Sequence, residues 1–90
     1  MDMTAHANVR RQQRAIPPLM IDLLLQFGAS EPSGDGTLKY YFDKSSRRQV
    51  MAYAGAFASA LEQHLDLYAV VAADSRVITV AHRDDRIRRH

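Results

Sequence analysis

From Leu19 to Phe27 the chain is apolar almost all round, through Met20, Ile21, Leu23, Leu24 and Leu25, with only Asp22 and Gln26 interrupting. Pro17 and Pro18 before it suit the start of a helix, and Gly28 after it supplies a left-handed stop. A helix apolar on every side is stable in water only when other elements surround it, so this segment is the expected centre of a core. Little else is available to hold it. Ninety residues allow one domain, 1–90, and a domain of that size buries only roughly 60–65% of the surface its unfolded chain exposes. There is no cysteine, which excludes disulfide bracing, thiolate metal sites and cysteine nucleophiles.

Around this centre the chain supplies further elements. Thr4 caps an expected surface helix from Ala5 to Ala15, whose apolar side is limited to Ala5, Val9 and Ile16. Residues 29–36 hold Pro32, Gly34, Asp35 and Gly36 and read as a turn-rich loop. Thr37 to Phe42 has strand propensity. Ser46 and Gln49 have capping-box spacing and open a predicted third helix to about His64, with Val50, Tyr53, Ala54, Phe57, Leu61 and Leu65 along one face.

Leu67–Ala73 and Arg76–His82 are β-branched-rich runs joined at Asp74-Ser75, the length of a tight hairpin. A two-residue loop pairs Ala73 with Arg76, Val71 with Ile78 and Ala69 with Val80. Leu67, Ala69, Val71, Ile78, Val80 and His82 then share one face, with Tyr68, Val70, Ala72, Val77, Thr79 and Ala81 on the other. An isolated hairpin is marginal, so the strand around Tyr40–Phe42 is expected to join it. The expected fold is α+β, helix–helix–strand–helix–strand–strand, with helices packed on a small antiparallel sheet that ends in a C-terminal hairpin. Residues 1–4 and 84–90 are expected to be flexible ends.

No apolar run reaches the ~18 residues that span a bilayer, and Met1–Arg14 lacks a signal-peptide core. A soluble cytoplasmic domain is the expectation, with no membrane partner. The formal charge is only +2, but ten of the twelve basic residues are Arg. The basic residues gather at Arg10, Arg11 and Arg14, again at Lys39, Lys44, Arg47 and Arg48, and finally at Arg83, Arg86, Arg88 and Arg89, with Arg76 alone between them. The guanidinium fork matches phosphate and carboxylate, so the pattern suits an anionic partner as well as a solvated surface.

The four histidines, His6, His64, His82 and His90, show no spacing of the kind zinc sites use. No metal and no cofactor are expected. Gly34-Asp35-Gly36 is too short to cradle phosphate, and no nucleophile motif surrounds Ser45 or Ser46. His6, Arg10 and Arg14 are spaced four apart, within about 80° of one helix face. An imidazole beside two permanent cations can move a proton while the cations offset phosphate charge. Thr79, His82, Arg83 and Arg86 at the chain end offer a second group of this type. Tyr41 and Tyr68 are half-buried strand residues or stacking platforms for a base. Each of these sets also has a plain reading as solvated or core-edge side chains.

The His6-Ala7 pair on an Arg-rich helix, then Ile16 and an apolar helix ending in Gly28, have a counterpart in a known group. So does a terminal hairpin reading Tyr68-Ala69-Val70-Val71 and Val77-Ile78-Thr79-Val80, followed by an Arg-rich end. Over about half the chain these features resemble small bacterial domains related to the RelE/BrnT-type toxins, within the barnase–colicin–RelE grouping of ribonucleases. The resemblance implies a compact α+β fold and metal-independent RNA cleavage by attack of the ribose 2′-OH. Carried over, it makes His6, Arg10 and His82 the catalytic candidates, and Arg14, Thr79, Arg83 and Arg86 the RNA-binding ones. The predicted helix from Ser46 to His64 departs from the toxin pattern, in which the strands are consecutive.

Two readings follow. One is a toxin-type domain that binds or cleaves RNA as a metal-independent endoribonuclease, restrained by an antitoxin or other protein partner. The other is a non-enzymatic interaction module with a toxin-like fold that docks a protein partner or forms a homodimer.

Overall fold

The computed structural model describes residues 2–83. Helix α1 spans Ala5–Gln13, and the Thr4 hydroxyl accepts a hydrogen bond from the Ala7 N–H at 3.1 Å, as its sequence predicts. It ends two residues before the expected Ala15. Ala15 takes the left-handed conformation (φ 53°), Ile16 N–H donates to Arg11 C=O, and Ala15 N–H donates to Gln12 C=O. These two bonds form a Schellman closure with alanine where glycine is usual. Arg11 seals the turn by donating to Asn8 Oδ1 and to the Ile16 carbonyl.

Helix α2, Pro18–Phe27, starts with proline in its first turn and buries Met20, Ile21, Leu23 and Leu24. Gly28 is not the left-handed stop that the sequence suggested. Its backbone is extended (φ −69°, ψ 158°) and runs directly into strand β1, Ala29–Pro32. Glycine is required there by proximity: a Cβ would lie 2.5 Å from the Leu24 carbonyl oxygen and 2.9 Å from that of Tyr41.

Strand β1 corrects the expectation of a loop from 29 to 36. Its side chains carry no strand propensity, but its backbone pairs antiparallel with β2, Leu38–Tyr41, from Ala29↔Tyr41 to Pro32↔Leu38. Main-chain hydrogen bonding to a neighbouring edge outweighs side-chain preference, and Pro32 fits an edge strand. Only the turn between them remains irregular.

Helix α3 runs Lys44–Ala54, and its cap is Asp43, not Ser46. The Asp43 carboxylate accepts from Ser46 N–H at 2.8 Å while the Ser46 hydroxyl accepts from Asp43 N–H at 2.7 Å, so Ser46 occupies the third position of the box. The hydrogen bonds that the Ser46 N–H and then the Ser46 hydroxyl donate to the carboxylate lower the Asp43 pKa below its ordinary value. The helix does not continue to His64. It breaks at Gly55 (φ 57°), passes through a 3-10 turn at Gly55–Phe57 and a single turn α4 at Ala58–Leu61, and closes in a second 3-10 turn at Glu62–His64.

Strands β3, Leu67–Val71, and β4, Val77–His82, complete a four-stranded antiparallel sheet in the order β1-β2-β3-β4. The fold is therefore α+β with a C-terminal hairpin, and an extra strand follows α2. Ala69↔Val80 pair as expected, but Val71 pairs with Val77, not Ile78. Ser75 N–H donates to Ala72 C=O with Ser75 left-handed (φ 71°), and Ala72 N–H donates to Arg76 C=O. The loop is thus three residues, Ala73 to Ser75, and a bulge absorbs the extra residue. Val77 consequently joins the buried face and Ile78 becomes half-buried.

Leu67, Ala69, Val71, Val77 and Val80 pack with Met20, Ile21, Leu24, Phe42 and Val50 in one buried cluster that also takes in Ala7 and Ile16. Each large member contributes about 1.5–3 kcal/mol when fully buried. Residues 2–4, expected as a flexible end, run beside β4. Val77 N–H donates to Asp2 C=O and Thr4 N–H to Val77 C=O, both at 2.9 Å, and α1 then packs along β4. The expected end 84–90 lies outside the described residues.

Candidate functional site

Alternation along the strands leaves one sheet face without helices. Strand β3 buries Leu67, Ala69 and Val71 and leaves Tyr68 and Val70 half-exposed. Register places Tyr41 beside Tyr68 and Lys39 beside Val70 and Thr79 on that same face. The Lys39 ammonium stands 5.0 Å from the centre of the Tyr68 ring, and the Arg83 guanidinium 5.8 Å from that of Tyr41. Two aromatic platforms, each with a cation over it, are thus held on rigid strands. Both cation–ring distances fall within the attractive range, so the pairs orient each other before any ligand arrives.

A second arrangement sits where the hairpin ends. Arg83 N–H donates to the Asp66 carbonyl at 2.7 Å, extending the β3–β4 ladder by one bond beyond Leu67↔His82. That bond brings the Asp66 side chain to His82, whose Nδ1 lies 2.6 Å from Asp66 Oδ1. A carboxylate only accepts, so Nδ1 carries the proton and Nε2 is left as the basic nitrogen. The His64 ring stacks on His82 with centroids 5.8 Å apart. His64 is buried, and among the described residues its Nδ1 has no hydrogen-bond partner. Burial lowers the His64 pKa below 6.5, with the charge of His82 acting in the same direction and Asp66 opposing. His64 is therefore neutral near pH 7 and packs as a polarizable wall behind the Asp66–His82 pair.

The sequence-derived candidates divide among these places. His82 and Arg83 leave β4 toward opposite faces, His82 to the Asp66 and His64 side and Arg83 to the tyrosine side. Thr79 stands on the open face opposite Val70. His6 and Arg10 are exposed on α1, and among the described residues neither makes a side-chain hydrogen bond, ion pair or ring contact with His82. Arg14 caps α1 and is half-buried and engaged, not displayed on a free helix face. Arg86 lies outside the described residues. The first helix and the last strand do meet, through α1 and β4.

Asp66, His64 and Lys39 were not singled out from sequence. Hairpin register carried a signal for Asp66, because pairing Leu67 with His82 sets residue 66 opposite residue 83. His64 had none, since it arrives through the break of α3 into short turns. Among the described residues no group of three His, Asp or Glu side chains is placed to hold a metal ion, and no helix is long and apolar enough to cross a membrane. Comparisons with protein-family models, curated proteins and solved structures find no match to this chain.

Proposed function

We propose that this domain binds single-stranded RNA on the open face of its sheet and acts on it as a toxin-type, metal-independent ribonuclease. The observation that carries the reading is the pair of cation-topped tyrosines, Lys39 over Tyr68 and Arg83 over Tyr41. Stacking on aromatic rings retains unpaired bases while flanking cations neutralise the backbone, a combination suited to single strands and tolerant of sequence. Thr79 adds a hydroxyl on the same face.

The Asp66–His82 pair supports the cleavage part of the proposal. His82 Nε2 takes the proton of a ribose 2′-OH as that oxygen attacks phosphorus and forms a 2′,3′-cyclic phosphate, while the bond to the 5′-oxygen breaks and that oxygen leaves with a proton from solvent water. Arg83 offsets the negative charge that builds on the phosphate. Since His82 and Arg83 face opposite sides of β4, the RNA strand passes over the end of the hairpin to meet both. His6 and Arg10, both exposed, extend the basic surface along α1. This activity belongs in the cytoplasm and calls for a restraining antitoxin or other protein partner.

The test combines fluorescence anisotropy of a labelled single-stranded RNA with electrophoresis of the same RNA after incubation in chelator. Salt-sensitive binding and discrete products are expected. Binding without products reduces the proposal to an RNA-binding module, and no binding at low salt removes it.

A further inference from the structure

We propose that the RNA strand, once past the end of the hairpin, is held by its phosphates on Lys44, Arg47 and Arg48 at the start of α3. The inference rests on the reading of the open face as an RNA site, and it places the part of the strand that lies beyond that face. The middle basic group of the sequence divides in the fold. Lys39 joins the tyrosine face, whereas Lys44, Arg47 and Arg48 follow β2 into α3 and are all exposed. Spacings of three and four set these cations on one side of the helix, turned away from the buried Ser46 and Val50.

Register fixes how near they lie to the cleavage pair. Tyr41 pairs with Tyr68 and Leu67 with His82, so Phe42, Leu67 and His82 form one row across the end of the sheet. Two strand spacings separate the ends of that row, roughly 10 Å. Arg47 reaches back to it, its Nε donating to the Phe42 carbonyl at 3.4 Å. Through Val50, α3 packs into the same core as Phe42 and Leu67, on the face that His82 shares. Arg83, the one cation that the cleavage step uses, stands on the other face. A strand that crosses the hairpin end to meet His82 therefore arrives where α3 begins.

The binding groups there are side chains. The first-turn amides are occupied, Ser46 N–H by the Asp43 carboxylate and Arg47 N–H by the Asp43 carbonyl. Among the described residues, Lys44 and Arg48 make no side-chain hydrogen bond or ion pair. The two acids at this end, Asp43 and Asp66, are committed to Ser46 and His82. Three cations continuing a path already lined by Lys39 and Arg83 complement a repeating phosphate backbone, and such contacts need no particular base.

The test uses 2′-O-methyl RNA, which lacks the attacking hydroxyl and stays intact. Anisotropy compares a core of about four nucleotides, the short end of single-strand sites, with strands lengthened by about four more at one end or the other. One extension is expected to raise the affinity of the parent chain about tenfold at low salt. The combined variant Lys44→Gln, Arg47→Gln, Arg48→Gln is expected to remove that gain and to lower the slope of log affinity against log salt by about two, at ~0.7 per cation. Core binding and far-ultraviolet dichroism should not change. If the triple variant does not fold, Lys44→Gln with Arg48→Gln decides alone. No gain from either extension, or a gain that the folded variant keeps, overturns the proposal and leaves the tyrosine face as the RNA site. Equal losses for core and extended strands overturn it too, because the cluster then acts through overall charge. A kept gain with salt-sensitive polyglutamate binding lost from the variant overturns it in favour of an acidic protein. A parent chain that binds neither core nor extended strand overturns it together with the RNA reading.

Discussion

Asp66 Oδ1 lies 2.6 Å from His82 Nδ1, although the two residues are sixteen apart in sequence and meet only because β3 and β4 end together. The carboxylate holds the imidazole in one tautomer and orientation, with Nε2 as its base. Asp66→Asn keeps the shape but can offer its amide N–H to Nδ1, which favours the opposite tautomer. Cleavage of labelled RNA is expected to fall by about 10²–10⁴-fold, within the range that general-base catalysis supplies, while anisotropy shows unchanged RNA binding. Equal losses in binding and cleavage would mean that Asp66 holds the hairpin end and no more.

His64 gives the fold a dependence on pH. Burial first, and His82 second, make the folded imidazole harder to protonate than an unfolded one at 6.5. As pH falls through 6.5 the unfolded chain therefore takes up this proton first. The contribution to stability is fully present above that value and is lost as pH drops toward the lower folded pKa, by at most about 1.4 kcal/mol per pH unit. Urea denaturation between about pH 5 and 8 measures it. His64→Phe is expected to flatten the decline relative to the parent chain, and parallel curves would contradict the assignment.

Much of this architecture was legible because it is written in local chemistry. Thr4, Pro18 and the apolar run to Phe27 announce two helices, and the β-branched runs around Asp74-Ser75 announce the hairpin. What escaped depends on contacts between distant residues. Ala29–Pro32 becomes a strand only because β2 offers an edge, and Val77 reaches the core only because a three-residue loop forces a bulge. The site divides in the same way. His82, Arg83, Thr79 and the tyrosines could be named from strand alternation, whereas Asp66 and His64 are brought to His82 by the register of the hairpin and the breaking of α3.

Two small substitutions test the connections on either side of α2. Gly28→Ala drives a methyl group into the carbonyls of Leu24 and Tyr41, neither of which belongs to a flexible side chain. It is expected to cost about 2–3 kcal/mol by thermal or urea unfolding, the upper part of the range for overpacking. Ala15→Gly has the opposite sign. It relieves a left-handed alanine, φ 53°, at a Schellman position where glycine is favoured, and should raise stability by about 0.5–1 kcal/mol after the entropy of the freer unfolded chain is subtracted.

The two components of the open face separate by their response to salt. Lys39 and Arg83 carry charge, so Lys39→Ala or Arg83→Ala should weaken RNA binding at low salt and reduce the slope of log affinity against log salt by about one each. Tyr41 and Tyr68 carry none. Tyr41→Ala or Tyr68→Ala should cost about 1–3 kcal/mol per stacked base at every salt concentration, leaving the slope nearly unchanged. Each tyrosine also supports the cation above it, so Tyr68→Ala should reduce the further loss from Lys39→Ala, and the double variant should lose less than the two singles combined. Anisotropy titrations over a tenfold range of salt resolve all three effects. If the tyrosine variants bind like the parent chain while the charge variants fail, the sheet face is a nonspecific anion surface, and its tyrosines belong to packing alone.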